Sequence, residues 1–138
     1  MANTVVFLGP DNDATSKTLQ RYQDLAISNG SQVEVKFVDQ DQNEDDIVEA
    51  CKDAIALLPV TRSFTTKLIR RLPNLKLIQV ISAGTDWMDK PAIYELGVKI
   101  ANNGGGNRVA VSEHTIALMI AAYRRLDHQM RGTKEGKW

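Results

Sequence analysis

Apolar runs of strand length alternate with helical patterns all along this chain, and that alternation leaves few folds open. The runs are residues 4–9 (TVVFLG), 32–39 (QVEVKFVD), 54–60 (AIALLPV), 75–82 (LKLIQVIS) and 98–102 (VKIAN). Between them, residues 16–29, 44–54, 65–72 and 90–97 carry apolar side chains at helical spacing, and Gly30 stands where the first helix should stop. Repeated strand–helix units on short links predict a parallel sheet with right-handed crossovers and helices on both faces. The expected class is α/β: a flavodoxin-like, doubly wound, five-stranded parallel sheet in the order 2-1-3-4-5, followed by a C-terminal helix. Residues 32–39 alternate polar with apolar, the pattern of a strand covered on one face only.

The 138 residues suffice for one domain with a real core. Lysine plus arginine and aspartate plus glutamate both number 17, so no net field recruits nucleic acid or an anionic membrane, and neither partner is expected. The lone cysteine, Cys51, lies in a helical pattern, excludes an intramolecular disulfide and reads as a small core side chain. With no signal peptide and no long apolar span, a cytoplasmic location is expected.

Three consecutive glycines, Gly104 to Gly106, lie between the last apolar run and a helical pattern, the usual setting of a phosphate loop. A dinucleotide fingerprint needs glycine at the first, third and sixth positions and an acidic residue about 20 positions on. Counting from Gly104, the sixth position is Val109, and Arg124 and Arg125 occupy the acidic position. Asn107-Arg108-Val109 also lacks the Gly-Lys-Ser/Thr ending of a P-loop. The glycines therefore serve to turn the backbone from strand to helix.

Other patterns fail on single positions. The acidic stretch from Asp39 begins like a calcium loop, but its sixth position is Glu44 instead of glycine and its twelfth is Ala50 instead of glutamate, so no metal site is expected. A phosphoacceptor receiver domain wants an aspartate after the third strand and a lysine after the fifth, where Pro59-Val60-Thr61 and Ala101-Asn102 stand. A flavodoxin wants an early hydroxyl-rich loop after the first strand. Residues 10–18 (PDNDATSKT) place their hydroxyls late and add aspartates, leaving Trp87, which could stack on a flavin, as the feature favouring a flavin-binding domain.

The last helical pattern, residues 109–126, contains IALMIAA and is apolar around its whole circumference. Such a helix expects cover on several sides, which one face of a five-stranded sheet does not supply. The chain then ends in RGTKEGKW, where no closing strand or helix is expected. Both features predict a piece of something longer.

Residues 72–89 (LPNLKLIQVISAGTDWMD) and 97–126 (GVKIANNGGGNRVAVSEHTIALMIAAYRRL) resemble the N-terminal part of the D-isomer-specific 2-hydroxyacid dehydrogenases. There a leucine-lysine strand leads to an alanine-glycine loop closed by aspartate, and a glycine- and asparagine-containing loop precedes a VAEH-like helix. The resemblance is close over about half the chain, and the earlier units agree in outline. It implies a substrate domain over residues 1–104, and a glycine loop and interdomain helix over residues 105–138 leading to a dinucleotide-binding domain beyond them. It also implies an oxidoreductase that passes hydride between NAD or NADP and a D-2-hydroxy or 2-oxo acid. The acid-base histidine, its carboxylate partner, the substrate-holding arginine and the cofactor fingerprint would all lie outside this chain, so the chain alone is expected to be inactive and to hold no catalytic residue. His114 matches a family histidine on the interdomain helix that is not the acid-base, and His128 is expected to be solvated.

Within the chain, the resemblance implies that backbone N–H groups at Ala83 and Gly84 hold the substrate carboxylate, and that Thr85 approaches the nicotinamide. A small-residue turn at the carboxyl end of a strand is suited to this by itself, because it can aim successive N–H groups at an anion. Thr85 and Asp86 otherwise serve as helix or turn caps. Asn107 either orients substrate or caps the following helix, and Arg62 either adds a positive charge at the same end of the sheet or is solvated. Ser82 stands where some phosphoglycerate-specific relatives carry arginine, which favours an unphosphorylated acid such as glyoxylate or hydroxypyruvate. A homodimer, or self-association through residues 109–126, is expected. Some relatives are nucleotide-sensing corepressors, so a binding module is the alternative to an enzyme.

Overall fold

The computed structural model describes residues 3–60 and 64–137. The chain divides into two compact units, Met1–Gly104 and Gly105–Trp138. In the first, β1 (Asn3–Gly9), α1 (Asp13–Ser28), β2 (Val33–Asp39), α2 (Glu44–Cys51), β3 (Ala54–Pro59), α3 (Thr66–Arg70), β4 (Leu77–Gln79), α4 (Lys90–Glu95) and β5 (Lys99–Ala101) follow one another. The strands form one parallel sheet in the order β2-β1-β3-β4-β5, with helices on both sides, which is the expected α/β class.

Position in the sheet explains the composition of each strand. β1 lies between β2 and β3, and its Val6, Phe7 and Leu8 are buried. β2 lies at the edge, and its Glu34 and Lys36 face solvent. Leu57 of β3 and Ile78 of β4 are fully buried and continue the core towards Leu68, Ile69, Ile93 and Val98. Cys51 ends α2 inside this core, as its pattern predicts, and burial pushes its thiol up to about 11.

Each helix of this unit starts on a side chain that accepts from an amide of the first turn. These acceptors are Asn12 for Thr15, Asn43 for Asp46, Thr65 for Leu68 and Asp89 for Ala92. α1 ends as expected at Gly30, whose φ of 62° lets the N–H of Ser31 reach the carbonyl of Ala26 at 2.9 Å.

The outer strands are shorter than their apolar runs, since β4 and β5 have 3 residues each. Their ladder nonetheless continues past both ends. Lys99 N–H bonds the Lys76 carbonyl at 2.9 Å, Val80 N–H the Ala101 carbonyl at 2.8 Å, and Asn103 N–H the Ser82 carbonyl at 3.2 Å. The carboxyl ends of β4 and β5 are thereby fastened side by side.

The second unit corrects the expectation of one helix with an unstructured tail. α5 (Arg108–Arg124) stops at Arg125, a non-glycine residue at φ 50° and ψ 45°, and α6 (Leu126–Lys134) follows. His128 and most of the polar tail are therefore helical. Their polarity marks a solvated helix with an Asp127–Arg131 pair at 2.8 Å one turn apart, instead of a loop. α5 buries none of its residues: Ile116, Leu118, Met119, Ile120 and Tyr123 are all more than half exposed. No helix of the described residues is long and apolar enough to cross a membrane.

Candidate functional site

Between β4 and α4 the chain makes an exposed turn through Ser82, Ala83 and Gly84 at the carboxyl end of the sheet. Every carbonyl from Ser82 to Thr85 is held from within the first unit. The Ser82 carbonyl accepts from Asn103 N–H at 3.2 Å, and that of Ala83 accepts from the Asn102 side-chain amide at 2.6 Å. The Gly84 carbonyl accepts from both the Ser82 hydroxyl at 3.2 Å and the Trp87 indole N–H at 3.3 Å. The Thr85 carbonyl accepts from Met88 N–H at 3.2 Å.

Holding a carbonyl also aims an amide. No cis peptide occurs among the described residues, and across a trans peptide the N–H of the next residue points opposite to the carbonyl. The bonds to the carbonyls of Ser82, Ala83 and Gly84 therefore direct the N–H groups of Ala83, Gly84 and Thr85 away from their partners. Among the described residues no acceptor takes any of these three N–H groups. Three successive donors left open on an exposed turn of small side chains are the elements from which a cradle for an anion can be built.

The rest of the turn is anchored inward. Met88 is buried, and Trp87 packs on the core with its ring edge-on to Phe64, 5.2 Å between centroids. This fixes the role of Trp87. Its N–H goes to Gly84 and its ring to Phe64, so it braces the turn and offers no support for flavin stacking.

Thr85 is half-buried, and neither it nor Asp86 caps α4, a role taken by Asp89. The Asp86 carboxylate lies 4.0 Å from where a Cβ on Gly84 would stand. It adds a negative charge beside the cradle, which opposes a dianion more than a monoanion.

The remaining candidates are placed as follows. Arg62 lies outside the described residues. Asn107 stands at the N-cap position of α5 but makes no side-chain capping bond, which corrects the capping alternative, and it belongs to the second unit. Of the three glycines, Gly105 has φ 76° and its carbonyl accepts from Arg108 N–H at 3.1 Å, a turn leading into α5 as expected. His114 is exposed on α5 and His128 on α6. No group of three or more histidines, cysteines and carboxylates among the described residues is placed to hold a metal.

Sequence reasoning found the turn but missed what aims it. Asn102 carried a signal that the sheet order makes readable: an asparagine directly after β5 lies beside the carboxyl end of β4, the neighbouring strand.

The family model described as D-isomer specific 2-hydroxyacid dehydrogenase, catalytic domain, matches residues 5–135. A D-3-phosphoglycerate dehydrogenase of Archaeoglobus fulgidus is 35% identical over 115 residues, 83% of this chain and 21% of that protein. A glycerate dehydrogenase of Methylorubrum extorquens is 27% identical over 138 residues, 100% of this chain and 41% of that protein. Among solved structures, a glyoxylate reductase from Paecilomyes thermophila is similar with a TM-score of 0.70 at 24% identity, covering 100% of this chain and 43% of that one, a likeness of fold. The chain thus spans between 21% and 43% of the length of these relatives.

Proposed function

Since this chain belongs to the D-isomer specific 2-hydroxyacid dehydrogenases, we propose that it is the substrate-holding part of an oxidoreductase that passes hydride between a nicotinamide cofactor and the C2 carbon of a small 2-oxo acid. One observation carries the reading: the three open N–H groups of Ala83, Gly84 and Thr85, fixed in direction by bonds to the preceding carbonyls. A carboxylate accepts several such bonds at once, and holding it there orients the adjacent C2 carbon.

The division of labour rests on the share of its relatives' length that this chain spans, between 21% and 43%. NAD or NADP, which supplies or accepts the hydride when bound, would be held mainly by a dinucleotide-binding domain following residues 105–138, with Thr85 on the nicotinamide side. In this reading Asn107 orients the substrate and Arg62 adds positive charge near the carboxylate. The acid-base belongs to the other domain, and the product stays in place through the same amides.

The preferred substrate is an unphosphorylated acid of the glyoxylate or hydroxypyruvate kind. The turn from Ser82 to Asp86 contains no cationic side chain and one carboxylate, which suits a monoanion better than a phosphorylated acid. The test is a comparison of kcat/KM for hydroxypyruvate and 3-phosphohydroxypyruvate in the complete enzyme. A preference for the phosphorylated acid would refute this assignment. The 138-residue chain alone should show no NADH- or NADPH-dependent reduction of glyoxylate. Turnover by a homogeneous preparation would refute the division of labour.

A further inference from the structure

The amide cradle has a device outside its own loop. Asn102 directly follows β5, is exposed, and spends its side-chain amide on a carbonyl 19 residues away, Ala83 O at 2.6 Å. Its orientation is fixed by chemistry, since the opposite flip would set Oδ1 against another oxygen. Oδ1 instead faces the Gly104 side, where a Cβ on that residue would stand 3.6 Å away. The Ala83 carbonyl belongs to the peptide whose N–H is that of Gly84, the middle donor of the three. The neighbouring backbone bond, from Asn103 N–H to the Ser82 carbonyl at 3.2 Å, aims the Ala83 donor in the same manner. The loop after β5 thus sets the direction of two adjacent donors, one through backbone and one through Asn102.

We propose that Asn102 is the positioning residue of the carboxylate cradle, holding the Ala83–Gly84 peptide so that the Gly84 N–H faces the substrate. The assignment rests on the reading of this turn as the carboxylate site. Asn102 touches no substrate itself. Without its bond the peptide is free to rotate, since the Ala83 carbonyl has no other partner among the described residues. An exposed carbonyl readily exchanges a side-chain donor for water, so the fold is spared and the loss falls on anion binding.

The test follows the backbone amides of the 138-residue chain by two-dimensional NMR during titration with oxamate, an unreactive 2-oxo acid analogue, at constant ionic strength. In the unsubstituted chain the resonances of Ala83, Gly84 and Thr85 should shift and saturate together. Asn102→Ala should weaken binding by roughly fivefold, the range of one lost neutral hydrogen bond, with core resonances such as Leu57 and Ile78 unmoved. Asn74→Ala is the control, because Asn74 gives its amide to the Lys52 carbonyl at 3.0 Å in the same kind of bond, and this variant should bind as the parent does.

Asn102→Asp supplies a readout that a merely structural role would not move. Ionised, the aspartate has no donor, but once protonated it can donate to the Ala83 carbonyl. Because the Asp86 carboxylate beside the cradle is common to both proteins, the readout is the ratio of the variant's affinity to the parent's, which should recover towards one as pH falls through about 4, the ordinary aspartate range. Parent-like affinity in Asn102→Ala, or an Asn102→Asp variant without that recovery, overturns the role of Asn102 alone. No shift in the parent at any oxamate concentration overturns the carboxylate reading, and this proposal with it.

Discussion

Gly84 is where local geometry and chemistry can be separated most cleanly. It has no positive φ, and an added Cβ would meet nothing nearer than the Asp86 carboxylate at 4.0 Å. A larger side chain there is compatible with the fold and intrudes only on the open cradle. Gly84→Val in the complete enzyme should raise KM for the 2-oxo acid and leave cofactor affinity nearly unchanged. Loss of two hydrogen bonds to a charged group costs about 3–6 kcal/mol, or roughly two to four decades in kcat/KM. Wild-type kcat/KM in a folded Gly84→Val enzyme would mean that no donor of this turn holds the carboxylate. Cys51 gives the opposite kind of residue-scale prediction. Burial raises its thiol from 9.0 to about 11, so the native chain should resist iodoacetamide at pH 8 and react once unfolded. The raised value means that the buried neutral thiol favours the fold fully below pH 9 and progressively loses that effect as pH rises towards 11. Rapid alkylation of Cys51 in the folded chain would contradict both statements.

At the scale of elements, the tight end of β1 is a sharp test of packing. A Cβ on Gly9 would stand 2.7 Å from Cγ2 of Val60, which is held against β1 by its own N–H on the Leu8 carbonyl at 2.8 Å. A β-branched side chain has few rotamers with which to give way, so Gly9→Ala should destabilise by about 1–3 kcal/mol. Urea unfolding that shows no loss of stability would place Val60 further from β1 than described. The alternation of runs was enough to foresee the sheet and its order, because parallel strands with short links admit few arrangements. The ends of β4 and β5 were less legible. Their apolar runs extend through Ser82 and Asn102, where ladder bonds persist in irregular backbone. α6 escaped because its apolar stripe is reduced to Leu126 and Met130 in an otherwise polar segment that also contains Gly132. The amide turn was legible from its small residues, whereas Asn102 acts through a contact between neighbouring strand ends that no local motif encodes.

At the scale of the molecule, α5 is an exposed apolar surface. Ile116, Leu118, Met119, Ile120 and Tyr123 are between 53% and 88% exposed, a concentration of apolar surface that monomers rarely leave open. A two-fold contact between copies would use the same face of the helix from each, and so bring together the Ile116, Met119, Ile120 and Tyr123 side chains of both, eight in all, with Leu118 on the opposite face. At roughly 1 kcal/mol for each partial burial the gain is about 8 kcal/mol, which is comparable with an association cost on the order of 4–15 kcal/mol. The balance is close. Self-association should therefore be weak and concentration-dependent, with a midpoint on the order of micromolar or above. Sedimentation velocity over a range of concentrations should show the 138-residue chain passing from monomer to larger species. Met119→Glu combined with Ile120→Glu should abolish this without lowering thermal stability, since neither side chain is buried within the chain. A parent chain that stays monomeric at millimolar concentration, with α5 slow in hydrogen exchange, would show that this helix is stable without a partner copy.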